Sequence, residues 1–223
     1  AAALSIQDPR ERPYDKIDQA AAAHARFAHP ESDFLTYLQI WNRYSDHFDQ
    51  MKSQSQWRKF CRDHFLSYRR MKEWRDVYSQ IMDIIGGKAA APSRRKPARM
   101  EIDQTISDKI HRSILSGYLS NIAQKKEKNF YTAAKSREVM LYPGSALFNR
   151  GGQWIVAAEI SLTSRVFARN AANIQSEWLE ELGGDHCRYQ HWAAHWEKSR
   201  GQVVALEKVV LFGLTIVEQR SVA

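Results

Sequence analysis

The chain has 223 residues and carries 33 Lys plus Arg against 25 Asp plus Glu, so its formal net charge is +8. An apolar content of 43% is enough to build folded cores, which excludes disorder as the main state. The length allows one large domain or two small ones. The basic surplus favours an anionic partner.

Neither a membrane-spanning helix nor a secretory leader is indicated. The longest apolar run, residues 209–217, is far short of the ~20 residues that such a helix needs. Residues 1–16 contain charges and two prolines where a signal peptide has an apolar stretch, so we expect a cytoplasmic chain without a membrane partner. Cys61 and Cys187 are too few for a disulfide framework. The first methionine is Met51, which favours a piece of a longer protein.

Apolar spacing predicts that the first half of the chain is all helix. Residues 19–27 are alanine-rich and indicate a short helix. Ser32, two residues after Pro30, is a typical N-cap for a second helix with aromatic side chains at three- and four-residue steps. Residues 55–85 and 102–122 show the same helical spacing.

The basic surplus is local, because residues 52–99 hold 13 basic against 4 acidic side chains. On the third predicted helix, four cations fall within one narrow arc opposite the apolar face: Arg58, Arg62, Arg69 and Lys72. A row of cations can follow a phosphate backbone, and a solvated helix face explains the same pattern equally well. The segment that follows, residues 86–100, is predicted to be a basic linker.

From residue 129 the apolar pattern changes to period two, which predicts a sheet. Strands are expected at residues 138–142, 154–160 and 163–172, a short helix at residues 176–182, and a final pair of strands at residues 201–217. In the third strand Arg165, Phe167 and Arg169 alternate onto one face. Cations interleaved with an aromatic ring are typical of sheets that bind single strands, although an ordinary exposed strand face shows the same pattern.

The Gly-Gly-Lys sequence at residues 86–88 resembles the end of a phosphate-binding P-loop. Met82 stands where that motif requires its first glycine, and Ala89 stands where a Ser or Thr hydroxyl would hold Mg²⁺. We therefore expect no nucleotide site of that kind in this chain.

Four metal-binding residue types also lie within a ten-residue window: His186, Cys187, His191 and His195. Their spacing matches no standard zinc finger, and the neighbouring tryptophans favour packing. We therefore predict no metal site, and metal analysis of the purified chain would test this.

Short motifs recur in a fixed order along the chain. In the first half they are SDFLT at residues 32–36, FCRDHFLSYR at 60–69, ILSGY at 114–118 and NIA at 121–123. Together these segments resemble the helicase-associated ratchet domain of DEAH-box RNA helicases.

The motifs of the second half resemble the OB-fold that follows the ratchet domain in the same family. They are YPGSAL at residues 142–147, WIVAAE at 154–159, LTSR at 162–165 and EWL at 177–179. The tail is similar to the bacterial HrpA-type branch, with HWE at residues 195–197, GQV at 201–203 and LFGL at 211–214.

The resemblance implies an α+β fold in three parts. A helical ratchet-like bundle is expected in residues 1–112, including the basic linker 86–100. An OB-type antiparallel β-barrel is expected in residues 113–184, and a β-rich extension in residues 185–223.

The resemblance also implies a parent that is an ATP-dependent RNA helicase, with ATP and Mg²⁺ bound by two RecA-like motor domains upstream. The motor motifs are absent from this sequence, so we expect no enzyme activity and no cofactor in this chain alone. Its implied role is to bind and guide single-stranded RNA, with DNA as an open possibility. The alternative is a protein-docking scaffold that regulates the helicase through the OB face.

The candidate nucleic-acid contacts follow from the basic patterns and from the resemblance. On the ratchet part they are Arg58, Arg62 and Arg69. On the OB part they are Lys125, Lys126, Lys128, Tyr131, Ser145, Thr163, Arg165 and Arg169.

Overall fold

The computed structural model describes residues 1–50, 53–86 and 99–223, and these divide into two compact units. The helical unit comprises Ala1–His29 and Phe34–Glu101, and the barrel unit comprises Pro30–Asp33 and Ile102–Ala223. Most of the predicted basic linker lies outside the described residues.

Four α-helices lie wholly or mostly in the helical unit: α1 (Ile17–Ala25), α2 (Asp33–His47), α3 (Gln54–Asp63) and α4 (Tyr68–Gly86). Short 3-10 helices span Ala2–Ser5, Tyr14–Lys16 and Phe48–Gln50. The core is aromatic, with the rings of Trp41 and Trp74 5.0 Å apart and those of Tyr44 and Trp57 5.7 Å apart. These helices therefore bury the apolar stripes that their spacing predicts.

The single helix expected over residues 55–85 is two helices in the structure. The first begins at Ser53, whose side chain accepts a hydrogen bond from the backbone N–H of Gln56 in a capping box. The chain then turns at Phe65, which has a left-handed φ of 52°. The N–H of Ser67 donates to the carbonyl of Pro9 at 2.7 Å, so a distant segment of the chain stabilises this break. Apolar periodicity carries no signal for such a contact.

The barrel unit contains the helix α5 (Gln104–Gly117), a closed barrel and the helix α6 (Ser176–Gly183). The barrel strands lie in the order β1-β2-β3-β5-β4. Their bounds are β1 (Ile122–Glu127), β2 (Phe130–Ala133), β3 (Arg137–Leu141), β4 (Trp154–Leu162) and β5 (Val166–Asn173). The predicted α+β class with an OB-type barrel is confirmed, and the β3–β5 pair that closes the barrel is parallel.

Tyr131 lies at the centre of the barrel core, with a fully buried ring whose hydroxyl donates to the carbonyl of Gly152 at 3.0 Å. Leu141 and Ile155 pack in the same core. A Cβ atom added at Gly151 would collide with the Tyr131 hydroxyl, so this position requires a residue without a side chain.

The short segment Pro30–Asp33 belongs to the barrel unit although it precedes most of the helical unit in sequence. The Asp33 carboxylate is buried and accepts three hydrogen bonds, from the Ser145 hydroxyl at 2.6 Å and from the backbone N–H groups of Ala146 at 2.9 Å and Ala171 at 3.0 Å. The hydroxyl of Ser32 lies 2.7 Å from Nε2 of the buried His111 on α5. Barrel and segment are thus joined by buried polar contacts.

A second sheet follows the barrel, with strands β6 (Cys187–Glu197), β7 (Gln202–Leu211) and β8 (Leu214–Val222) in that order. Further 3-10 helices of this unit span Leu119–Asn121, Ala134–Ser136 and Gly184–His186. Arg220 on β8 donates to both carboxylate oxygens of Glu180 on α6, at 2.6 and 2.7 Å, and to Glu207 on β7. These ion pairs connect the sheet to α6.

Candidate nucleic-acid interface

An open groove of about 590 Å³ crosses the helical unit where the N-terminal segment passes α3 and α4. The three arginines predicted on the ratchet part, Arg58, Arg62 and Arg69, all line it. Arg58 and Arg62 come from α3 and Arg69 from the start of α4, so the turn between the helices brings them together. Lys16 adds a fourth cation that the sequence analysis did not select.

The electrostatic balance of this groove favours an anion. Its lining includes two carboxylates, Glu11 and Asp15, against the four cations. The Arg62 side chain is 78% exposed, and its distance of 3.9 Å to Asp63 makes a weak ion pair. The guanidinium of Arg58 lies over the ring of Tyr68 at 5.2 Å, which restricts its orientation. These cations are therefore available to an incoming ligand.

Cys61 also lines the groove but is chemically quiet. Its side chain is buried among the core residues of the helical unit, and this burial raises the pKa of the thiol to about 12. A thiol with such a pKa stays protonated at neutral pH, so the groove offers no nucleophile at this position.

A neighbouring hollow of about 550 Å³ shares Ser67 and Arg69 with the groove. Arg70 lies on this side and donates to the carbonyl of Asp8 at 2.8 Å and to the amide oxygen of Gln7 at 3.0 Å. Arg69 is thus the cation common to both hollows, and Arg70 serves to hold the N-terminal segment in place.

The three predicted lysines at the start of the barrel differ in their availability. Lys125 donates to the carbonyl of Gly151 at 2.6 Å, and Lys126 forms a 2.6 Å ion pair with Glu138. This hydrogen bond raises the pKa of Lys126. Lys128 lies exposed in the turn between β1 and β2. Lys126, whose ion pair with Glu138 is exposed, and Lys128 remain accessible to an anion. Lys125 is instead held by its hydrogen bond to the Gly151 carbonyl.

Two of the predicted contacts are structural, and we remove them from the candidate set. Tyr131 is completely buried, and the burial raises the pKa of its hydroxyl to about 12, so its ring cannot stack on a base from this position. Ser145 is also buried, and its hydroxyl donates to Asp33 while accepting from the N–H of Leu147 at 3.2 Å. Both hydroxyls are satisfied inside the barrel unit.

The remaining barrel candidates lie at the turn between β4 and β5 and on β5. Thr163 and Arg165 are exposed in the turn, so Arg165 precedes the strand on which it was expected. Arg169 is on β5, where its Nε donates to the Ser161 hydroxyl at 3.1 Å. Its guanidinium lies 3.8 Å from the centre of the Tyr142 ring, and the sequence analysis did not select Tyr142. The alternation that follows the buried Leu141 could have placed that ring on the outer face.

The four residues considered for zinc have separate environments, and the ring of His186 packs beside that of Phe212 with the centroids 5.5 Å apart. The Cys187 side chain is buried, and this burial raises its pKa. His191 bonds to Glu207 at 2.8 Å, and Nδ1 of His195 lies 3.0 Å from the carbonyl of Ala193. Within residues 1–50, 53–86 and 99–223, the structure contains no cluster of three or more His, Cys, Asp or Glu side chains suited to a metal ion.

Among the residues that the structure describes, no helix combines the length and the apolar character that crossing a bilayer needs.

Residues 110–186 match the family described as the oligonucleotide/oligosaccharide-binding (OB)-fold, OB_NTP_bind. The chain is 38% identical over 221 residues to the ATP-dependent RNA helicase HrpA of Escherichia coli strain K12. The matched stretch covers 99% of this chain and 16% of that protein. The chain is therefore similar, over nearly its whole length, to the OB-fold-containing C-terminal region of HrpA-type DEAH-box helicases. This confirms the family resemblance.

Two further relatives are also named as ATP-dependent RNA helicases, and one of them is an HrpA homolog. The ATP-dependent RNA helicase HrpA homolog of Haemophilus influenzae is 38% identical over 221 residues, 99% of this chain and 16% of that protein. The pre-mRNA-splicing factor ATP-dependent RNA helicase prp22 of Schizosaccharomyces pombe is 27% identical over 191 residues, 81% of this chain and 14% of that protein. The chain thus spans about a sixth of the length of its HrpA relatives and matches a helicase accessory region.

Proposed function

We propose that this chain binds single-stranded RNA and guides it for ATP-driven motor domains elsewhere in the parent helicase. The observation that carries the proposal is the convergence of Arg58, Arg62, Arg69 and Lys16 on one open groove of the helical unit. The match of the barrel to an oligonucleotide-binding fold and the names of the relatives as RNA helicases support it.

The chemistry of the groove suits a phosphate backbone. Guanidinium groups donate paired hydrogen bonds to phosphate oxygens, and the release of condensed counterions makes such binding depend on salt. If about five phosphates are neutralised, the logarithm of the affinity for a single strand falls with the logarithm of the salt concentration at a slope near −3.5.

The catalytic part of the function is assigned to the parent and not to this chain. ATP and Mg²⁺ would be bound by the motor domains, and the residues discussed here would hold the strand while hydrolysis moves it. The chain alone is then expected to bind RNA without hydrolysing ATP.

The groove is tested by fluorescence anisotropy with a labelled oligoribonucleotide over a range of salt concentrations. The variant Arg58→Gln with Arg62→Gln removes two groove cations, so its slope should become shallower by about 1.4. The matched control, Lys59→Gln with Lys72→Gln, removes two exposed cations of the same helices outside the groove and should keep the slope. Equal losses in both variants, or a salt-independent affinity, would contradict the proposed groove.

The barrel is tested by charge reversal at the turn and on β5. Arg165→Glu with Arg169→Glu should abolish binding to a single strand because two cations become anions on one side of the barrel. Unchanged RNA binding together with the loss of a protein partner would instead favour the docking scaffold.

A further inference from the structure

The outer face of the barrel contains a cation stacked on an aromatic ring at the junction of β3 and β5. Arg169 lies two residues after Phe167 on β5, and the intervening Ala168 faces the core. Met140 pairs with Phe167 and Leu141 with Ala168 in the parallel β3–β5 register, so Tyr142 continues this register beside Arg169. Strand alternation thus places the Tyr142, Phe167 and Arg169 side chains on one outer patch.

The guanidinium of Arg169 has a fixed orientation. Its Cζ lies 3.8 Å from the centre of the Tyr142 ring, and its Nε donates to Ser161 at 3.1 Å. The ring of Phe167 meets that of Tyr142 edge to face with the centroids 5.8 Å apart, which holds the tyrosine in turn. The Tyr142 ring and the Ser161 hydroxyl therefore both restrain the planar guanidinium group of Arg169.

The terminal nitrogens of Arg169 have no acceptor among the described residues. Glu159 lies directly across the β4–β5 ladder from Arg169, yet the arginine turns toward Tyr142 and Ser161 and makes no ion pair with that carboxylate. An arginine that avoids a neighbouring carboxylate and is restrained by an aromatic ring keeps a planar pair of N–H donors for a ligand.

We infer that Arg169, positioned by Tyr142, recognises a guanine base in the bound strand, and this inference rests on the proposed function. Guanine presents two acceptors, O6 and N7, at the spacing of a guanidinium fork, and the unstacked bases of a single strand leave that edge accessible. Phe167 and Met140 beside the arginine offer apolar surface to the purine ring. Adenine has a donor in place of O6 and cannot accept both bonds.

The test compares the 223-residue chain on three labelled oligouridylate strands that carry guanosine, adenosine or 7-deazaguanosine at the same positions. The guanosine strand should bind at least about fivefold more tightly than the adenosine strand, as one bidentate pair provides. The 7-deazaguanosine strand lacks one of the two acceptors and should fall between them.

Four variants separate recognition from general charge. Arg169→Gln and Tyr142→Leu should both lose the guanosine preference, whereas Tyr142→Phe keeps the ring under the guanidinium and should retain it. The control Arg165→Gln removes an exposed cation of the adjacent turn, so it should reduce the salt slope by about 0.7 and leave the preference unchanged. Thermal unfolding of each variant shows whether the barrel is intact.

The outcomes distinguish this inference from the function on which it rests. Failure to bind any strand would overturn the proposed function. Tight binding with equal affinity for guanosine and adenosine strands would overturn the guanine site alone. A smaller salt slope in Arg169→Gln with an unchanged guanosine preference would also overturn it, because Arg169 would then contact a phosphate.

Discussion

Replacing Asp33 by alanine removes the acceptor of three hydrogen bonds inside the barrel unit. The Ser145 hydroxyl and the backbone N–H groups of Ala146 and Ala171 then lose their partner. Asp33 is only 1% exposed, so water does not easily replace the carboxylate. Each unsatisfied buried donor costs about 1–3 kcal/mol, so the three donors give a loss of roughly 3–9 kcal/mol for the variant.

The variant Asp33→Asn should have an intermediate effect. An amide keeps one acceptor oxygen, and its NH₂ group faces at least one of the former donors. We therefore expect a loss of about 2 kcal/mol, close to the value of one charge-assisted hydrogen bond. The stability of the barrel unit should therefore decrease from the wild type to Asp33→Asn to Asp33→Ala, in step with the number of acceptor oxygens that remain at this position.

Hydrogen–deuterium exchange of the barrel peptides measures this effect where it occurs. For Asp33→Ala, protection in residues 141–147 and 166–173 should fall by about two to six orders of magnitude. The matched control is Asp103→Ala, since Asp103 is an exposed helix cap that accepts one hydrogen bond from Ile106 and should cost about 1 kcal/mol. If the two variants lose equal protection, the buried carboxylate does not stabilise the barrel as reasoned here.

Three further predictions concern packing, reactivity and pH. Gly151→Ala should destabilise the barrel by about 1–3 kcal/mol in thermal unfolding because its methyl group meets a buried tyrosine hydroxyl, while Gly117→Ala, with open space around it, should not. Cys61, whose burial raises its pKa to about 12, should resist iodoacetamide in the native chain and react in urea, and rapid native labelling would contradict this. Hydrogen bonds from Arg220 hold the pKa of Glu180 below its usual value, so their contribution to stability is present above the unfolded pKa near 4.5 and is lost as pH falls through the folded pKa. Acid titration of urea midpoints should therefore be shallower in Arg220→Met, and an unchanged profile would count against the ion pair.

The fold class could be predicted because apolar spacing records which faces become buried. Trp41 and Trp74 recur at helical steps and meet in the core, and Ile155 and Ala157 alternate into the barrel. The break at Phe65 could not be predicted in this way, because it depends on a contact with Pro9 more than fifty residues earlier in the sequence. Spacing within one segment contains no information about that partner.

The candidate contacts show the same limit at the level of single residues. Arg58, Arg62 and Arg69 share a groove, although they were grouped by a wheel for one continuous helix and in the structure lie on both sides of a turn. Tyr131 and Ser145 are polar and lie in segments that resemble a binding fold, yet their hydroxyls serve the interior. A hydroxyl in a sequence motif does not reveal whether its partner is a ligand or the protein itself.

The position of Asp33 also has a consequence for the order of events during synthesis. Its partners Ser145 and Ala171 follow it by 112 and 138 residues, so the carboxylate leaves the ribosome long before any group that can bind it. Contacts of such long sequence separation slow folding because a large loop must close first. Residues 30–33 of the nascent chain are therefore synthesised well before the rest of the barrel unit to which they belong. A polypeptide that starts at residue 102 would contain every strand and still lack this segment.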